Sequence, residues 1–509
     1  MSTRLPNEDV AGIETLIQAR EWIDECRKTH GECDIGNNDW FPSRVIDVLP
    51  DTQDSGKVRL CVSDQSYLRR PYVTLTYCWG GDQPFMTNNS NFSKYLQGIK
   101  VETLPRTIQD AVAVTRGIGI RYLWIDSLCI IQDAANDKAA EMSRMHKIYG
   151  SSSCTIVAAA AHSVYDGFLL GKDTPHVPQR HLPFFTPDGS EGRVIIRKSK
   201  DAYYPYNDRI NKRAWTFQER LMSHRLLIYP PSPHALQWSC RRFSTANGGY
   251  VASNWFSLSR TNPIFQNAPS LDVLDTGQTS KSLWDLWRGL VGEYSSCNLT
   301  NPQDRLVALS ALAMLFDTKW TGCYLAGLWT VQDEPTIFLY SLLWGSFGKN
   351  KRCDKYVAPS WSWASANDKI IFASSNTFIE DTYLTLVDHK IVPAFENRYF
   401  GEVHSGIITI QGLMQRATVI RGTRLLLGSM NGAGSHTTQV GEAYMDALDE
   451  PMVSPQDVLC AVVFKEFRYD PVGLLLVPQD DGHYQRIAYC AIKKHDWTKT
   501  FFVATVSIK

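Results

Sequence analysis

Five groups of residues have the types and spacing to do chemistry. In the first, Tyr72-Val-Thr-Leu-Thr-Tyr77 runs directly into Cys78-Trp79-Gly80-Gly81-Asp82. Paired glycines after a strand permit a tight turn or close approach of a ligand to the backbone, so Trp79 and Gly80 are ligand-binding candidates. In the second, Tyr122-Leu-Trp-Ile-Asp126 ends in a carboxylate, with Cys129 just beyond. Asp126 is a candidate acid or base. Cys129 could be a nucleophile if His146, His162 or His224 reached it, although an isolated cysteine is more often a buried, inert thiol.

The third is Glu141. At about 100° per residue, Met142, Met145, Ile148 and Tyr149 form an apolar stripe, and Glu141 falls inside the same arc. An inward carboxylate must find a partner or shift its pKa upward. It is either an ion-paired structural group or a catalytic one held in a cleft. The fourth is Arg213-Ala-Trp-Thr-Phe-Gln-Glu219, where Arg213, Gln218 and Glu219 either line a cleft or form a polar network. The fifth is Cys26-x3-His30-x2-Cys33. Three soft ligands this close could hold zinc, but a fourth is missing nearby and the spacing matches no complete zinc signature. The expectation is no metal, with Cys26, His30 and Cys33 the candidates should one bind.

These residues need elements to position them. Residues 8–29 are expected to be helical from Val10, Ile13, Leu16, Ile17, Ala19 and Ile23, and residues 43–48 and 57–62 to be strands joined by a turn. From residue 70 the pattern alternates. A strand at 72–77 leads to a helix opened by Pro105 and stopped near Gly117 and Gly119. A strand at 122–126 leads to a helix from Asp137 to Tyr149 stopped by Gly150. A third strand spans Cys154–Ala159. Strand–helix–strand–helix–strand order predicts a parallel sheet with right-handed crossovers, and ligands in such sheets bind beyond the carboxyl ends of the strands. The main pocket is expected there, lined by Trp79, Gly80, Asp126, Cys129, Arg213 and Gln218. Residues 281–346 are expected to be mainly helical and those from about 356 mainly β, with a hairpin turn at Asp480-Asp481-Gly482 and a loop at Gly432–His436. The aromatic pair Trp361 and Trp363 is assigned to packing.

Composition narrows the function. The chain has 509 residues, 44% hydrophobic and 20% charged, with 52 basic and 52 acidic side chains. That is globular, multi-domain composition, and the zero net charge gives no electrostatic case for nucleic acid. Twelve scattered cysteines are too sparse for a disulfide framework. Residues 1–9 lack the apolar core of a signal peptide and no apolar run is long enough for a bilayer, so a cytoplasmic protein with reduced thiols and no membrane span is expected. No Walker phosphate loop, Gly-x-Gly-x-x-Gly, Gly-x-Ser-x-Gly or His-Glu-x-x-His is present.

Several blocks together resemble the fungal heterokaryon incompatibility (HET) domain. They are Tyr72–Gly80, Leu104-Pro-Arg-Thr-Ile-Gln-Asp-Ala111, Tyr122–Ile130 with Gln132, Glu141–Tyr149, Asp166-Gly167, Arg213–Glu219, Leu221–Arg225 and Trp238-Ser-Cys240. Asp304–Leu309, Gly327-Leu-Trp329 and Ala358–Trp363 resemble blocks that family members often share downstream. The resemblance is best over residues 70–245. It implies an α/β fold with a flavodoxin-like sheet distantly similar to Toll/interleukin-receptor domains, some of which cleave NAD with a glutamate from a Trp-x-x-x-Glu stretch. Here Asn136-Asp137-Lys138-Ala-Ala-Glu141 keeps the acid and lacks the tryptophan. The resemblance adds Arg106 and Gln132 as ligand-binding candidates and NAD as a candidate substrate, acted on by a hydrolase of the NAD-glycohydrolase kind. It implies a role in incompatibility and programmed cell death, with a small-molecule or protein partner. The alternative is a stand-alone small-molecule tailoring enzyme of fungal secondary metabolism built on the same fold. The implied organisation is 1–69 as an N-terminal helix and hairpin, 70–245 as the HET domain with a second lobe, 246–355 as a helical region and 356–509 as a β-rich region.

Overall fold

Asp9 sets where the first helix begins. Its carbonyl accepts from the Gly12 amide at 3.2 Å and from the Thr15 hydroxyl at 2.6 Å, so the chain turns before α1 (Ile13–Thr29) can start. The helix buries Thr15, Ala19, Trp22, Ile23 and Cys26, while Ile13 and Ile17 are exposed. The apolar face expected from spacing is therefore rotated, because Trp22 packs against Trp238 at a tilt, with ring centroids 6.2 Å apart. In the computed structural model, residues 9–33, 40–50, 56–169, 180–185, 189, 191–196, 205–231, 234–247, 279–346, 351–372, 379–396, 399–420, 424–427, 438–447, 456–466, 471–492 and 501–509 are described. The Gly432–His436 loop expectation lies outside them. The chain divides into two units, Met1–Asp272 and Val273–Lys509.

The first unit continues with β1 (Arg44–Asp47), β2 (Lys57–Val62), β3 (Tyr72–Thr76), α2 (Phe92–Gln97), β4 (Ile99–Lys100), α3 (Arg106–Gly117) and β5 (Tyr122–Trp124). Then come the short helix α4 (Asp126–Cys129), α5 (Ala135–Ser143), α6 (Met145–Gly150), β6 (Cys154–Val157), a separate hairpin of β7 (Arg180–Phe185) and β8 (Glu191–Ile196), α7 (Ala214–Met222), β9 (Arg225–Ile228), β10 (Gln237–Cys240) and β11 (Ser244–Ala246). Among the described residues, nine strands make one sheet in the order β11-β10-β9-β6-β3-β5-β1-β2-β4. The central four, β5, β3, β6 and β9, run parallel. In chain order they lie second, first, third, fourth, which is the start of the flavodoxin-like order. β1, β2 and β10 pair antiparallel at the flanks, so the sheet is mixed rather than parallel throughout. β3, β5 and β6 are buried along their whole length, as strands covered on both faces must be. α7 is the crossover into the fourth parallel strand.

The single helix expected from Asp137 to Tyr149 is two helices. They part at Arg144, whose φ of −98° and ψ of 0° leave the helical region. Glu141 is held on one side of the break, and Met145, Ile148 and Tyr149 are buried on the other. Two anchored faces at slightly different phase do not fit one straight helix.

In the second unit, α8 (Ser280–Tyr294), α9 (Ser310–Asp317) and α10 (Thr336–Leu342) surround small hairpins of β12 (Gly322–Leu325) with β13 (Leu328–Val331) and β14 (Trp344–Ser346) with β15 (Ile370–Phe372). Trp284, Trp287, Trp329, Trp344, Trp361 and Trp363 are all fully buried there, so Trp361 and Trp363 are core. The remaining strands are β16 (Ile379–Thr382), β17 (Leu384–Pro393), β18 (Val403–Ile420), β19 (Arg424–Leu427), β20 (Thr438–Met445), β21 (Gln456–Glu466), β22 (Val472–Pro478), β23 (Tyr484–Ile492) and β24 (Phe502–Ile508). Pairings β18–β19–β20–β23–β22–β21–β18 close a ring. Ala417, Val462, Leu475, Ile487 and Cys490 are among the residues that fill its core. Gly482, at φ +82°, makes the turn expected between β22 and β23.

Candidate functional site

The carboxyl ends of β3 and β5 and the first turns of α7 converge on one polar centre. β3 ends with Thr76, whose hydroxyl donates to Glu219 Oε2 from α7. Arg213, capping α7, donates from Nη1 to the Tyr77 carbonyl at 2.6 Å. Trp79 Nε1 donates to Asp126 Oδ2 at 3.0 Å, and the Ser127 amide donates to Oδ1 at 2.6 Å. The Tyr77 hydroxyl donates to Ser127 Oγ at 3.0 Å. Thr76, Tyr77, Trp79, Asp126 and Ser127 lie at or just beyond the carboxyl ends of β3 and β5, the side where such sheets bind ligands, and α7 brings Arg213 and Glu219 to them.

The electrostatics are those of desolvated acids beside one guanidinium. Burial pushes the Glu219 carboxyl up to about 7. Asp126 adds to that rise, while Thr76, Arg213 and Tyr149 oppose it. Burial also raises Asp126, against its bond to the Ser127 amide, the Arg213 charge and the Trp79 indole. The Tyr77 and Tyr149 phenols are raised by burial too, with the nearby carboxylates adding to it. A carboxyl poised near neutrality can give or take a proton, which is what an acid–base group requires.

The other residues singled out by sequence have different duties. Gly80 has φ +79°, and a Cβ there would lie 2.2 Å from that of Ser163, so the glycine admits the neighbouring loop. Arg106 pairs with Asp110 at 3.1 Å, and Asp110 accepts from the Phe168 and Leu169 amides, so this pair fixes the 162–169 loop. Gln132 Nε2 donates to the Asp126 carbonyl at 3.0 Å and holds the backbone behind the carboxylate. Gln218 is buried in α7 beside Glu219. Cys129 is fully buried, and burial pushes its thiol up to about 12, which disfavours the thiolate. His146 Nδ1 contacts the Ser143 carbonyl and His224 Nε2 contacts Arg241. Among the described residues no histidine bonds to Cys129.

Glu141 does point inward, with 2% of its surface exposed. Its Oε1 accepts from the Ser43 hydroxyl and from Arg144 Nη1 at 3.4 Å, and lies 4.0 Å from Arg44 Nη2. Arg44 in turn bonds Asp137 at 2.6 Å and the Cys129 carbonyl at 2.6 Å. This junction ties β1 to α4 and α5. The structure does not bring Glu141 into hydrogen bonding with the Asp126–Glu219 centre.

The strand ends where the pocket is expected carry the polar centre of Asp126, Arg213 and Glu219. A cavity of about 450 Å³ lies in the second unit, lined by Arg416, Asp481, His483, Tyr484, Phe502 and Thr505 among others.

A second cluster lies at the other end of the first unit. Cys26 sits in the last turn of α1, His30 caps it, and Cys33 ends the 3-10 turn that follows. Strand β10 brings Cys240 to them, and the four ligand atoms all lie within 4.8 Å of one another. Sequence reading found three of the four. Cys240 was visible only as part of the Trp238-Ser-Cys240 block, and nothing in local spacing ties it to Cys26.

Among the described residues, no helix is long and apolar enough to cross a membrane. No curated protein and no solved structure matches the chain. Residues 72–219, from the first residue of β3 to Glu219 of the polar centre, match the family model described as heterokaryon incompatibility protein (HET), so this segment is a HET domain.

Proposed function

We propose that the chain is an effector of the incompatibility and cell-death type, and that the Asp126–Arg213–Glu219 centre is the part of its HET domain that recognises or processes a small polar ligand. One observation carries this reading. Inside the family-matched segment, at the carboxyl ends of parallel strands, burial holds the Glu219 carboxyl at about 7 beside Asp126 and Arg213. Desolvated acids around a fixed cation are expensive to build for packing alone, and such clusters concentrate at functional sites. Arg213 would meet an anionic group of the ligand, and Glu219 would exchange a proton with it. NAD, which offers phosphates and a cleavable glycosidic bond, is the ligand to try first.

Inducible expression of the wild type, Asp126→Asn, Arg213→Lys and Glu219→Gln in a filamentous fungus tests the proposal, with colony growth and cellular NAD as readouts and melting temperature as the fold control. The wild type is expected to arrest growth, and the folded variants to relieve the arrest. If Asp126→Asn and Glu219→Gln arrest growth as fully as the wild type, the centre is structural and this assignment falls. If the wild type itself leaves growth untouched, the cell-death reading falls.

A further inference from the structure

We propose that Cys26, His30, Cys33 and Cys240 bind one zinc ion, a structural site that clamps the N-terminal helix to the edge of the central sheet. The donor set is the first support. Three cysteines and one histidine are a complete set for tetrahedral zinc. His30 Nδ1 lies 3.5 Å from Cys240 Sγ and 4.0 Å from Cys33 Sγ. Ligands about 2.0–2.3 Å from a tetrahedral centre stand roughly 3.5–3.8 Å apart; the His30–Cys240 pair already has that spacing, and all four ligand atoms, within 4.8 Å of one another, need only a small inward shift to reach it.

Local structure explains how the four meet. Cys26 and His30 are four residues apart across the end of α1 and share one face. The Cys33 amide bonds the His30 carbonyl at 3.1 Å, turning the third ligand back toward the first two. Cys240 ends β10 and pairs in register with Arg225 on β9. All four ligands are buried, and His30 is braced edge-on against Phe243 at 5.3 Å. A site with four protein ligands and no open position is structural rather than catalytic.

Arg225 is an independent observation. It is buried, and among the described residues no carboxylate pairs with it. Its Nε instead donates to Cys26 Sγ at 3.2 Å and its Nη2 to the Cys33 carbonyl at 2.7 Å. A buried guanidinium facing neutral thiols would be an uncompensated charge. Three thiolates and a divalent ion leave one negative charge, which Arg225 cancels while donating to a ligand sulfur, the usual outer-sphere arrangement. Binding zinc releases three thiol protons to solvent, and His30 binds through neutral Nδ1.

The test uses the full chain purified under reducing conditions. Elemental analysis after gel filtration should find about one zinc per chain in the wild type and about none in Cys240→Ser. Cobalt(II) added to the stripped wild type should give the charge-transfer and visible bands of a tetrahedral thiolate site. His30→Cys should keep the metal with a shifted spectrum, which separates loss of a ligand from loss of the fold. Arg225→Gln should weaken zinc binding by roughly 10–100-fold. Folded, reduced wild type that carries no zinc after exposure to it, or that shows a native disulfide from Cys240 to Cys26 or Cys33, would overturn the site.

Discussion

The Thr76 hydroxyl, at the end of a central strand, donates to the carboxylate of Glu219 on the crossover helix, 143 residues further along the chain. The contact locks α7 over the parallel strands and seals Glu219 from water. The folded-state pKa of about 7 stands above the ordinary value of 4.5, so the native protein holds a proton that the unfolded chain has already lost between those values. Stability from this group is fully present below 4.5 and is lost as pH rises through 7. The whole effect is about 3 kcal/mol at about 1.4 kcal/mol per pH unit. Urea midpoints should fall between pH 5 and 8 for the wild type and stay nearly level for Glu219→Gln. Equal slopes in the two proteins would show that Glu219 does not titrate there.

The Glu141 junction leads to a second expectation. Ser43, Arg44 and Arg144 hold one carboxylate oxygen, and Asp137 retains Arg44 independently at 2.6 Å. Glu141→Gln keeps the shape and removes the charge, so it should cost about 1–3 kcal/mol, the range for a charged hydrogen bond. Below the variant's melting temperature, growth arrest should be unchanged. A Gln variant as stable as the wild type but inactive would place Glu141 in the functional site.

How far the sequence could be read depends on the range of the contacts involved. The β3–α3–β5 and β5–β6 units were legible because alternation and helix stops such as Gly117 act within a dozen residues. The place of β9 as the fourth parallel strand was not visible, because its pairing with β6 spans a separate hairpin. The break at Arg144 has no glycine or proline to announce it. It follows from Glu141 being anchored to Ser43 and Arg44, nearly a hundred residues away. Glu219 was legible as a candidate from the Arg213–Glu219 block, but its raised pKa depends on burial and on Asp126, neither of which local spacing encodes. Cys240 is the extreme case, since only strand β10 carries it to a cluster formed more than two hundred residues earlier.

Gly327 joins the tryptophan core of the second unit. Its carbonyl accepts from Trp363 Nε1 at 2.9 Å and from Trp287 Nε1 at 3.3 Å. Its φ is +104°, and an added Cβ would lie 2.5 Å from Trp363 Nε1. Gly327→Ala should therefore destabilise by about 2–4 kcal/mol, from backbone strain plus displacement of a fully packed indole. Gly345→Ala is the control, since a Cβ there meets nothing within 4 Å. Its midpoint should move by less than about 0.5 kcal/mol. Equal losses for the two would mean that the indole gives way freely.

Arg486 and Asp446 form a fully buried bidentate pair in the same unit, with Nε and Nη2 donating at 3.0 and 3.1 Å. Arg486 also donates to the Leu342 carbonyl at 2.6 Å and to the Trp344 carbonyl, and its guanidinium lies 3.6 Å from the centre of the Trp344 ring. One side chain thus satisfies the carbonyls that end α10 and begin β14. Burial raises the Asp446 carboxyl while Arg486 and Arg352 pull it back. Arg486→Met leaves that acid without its bidentate partner and should cost about 3–5 kcal/mol, with Arg352, 3.5 Å away, limiting the loss. Asp446→Leu alone strands the guanidinium and should cost a similar amount. The double variant removes both charges, so its loss should be smaller than the two single losses together by at least about 1 kcal/mol. Strict additivity in urea denaturation would mean that the carbonyl and indole contacts, rather than the ion pair, carry the energy of the site.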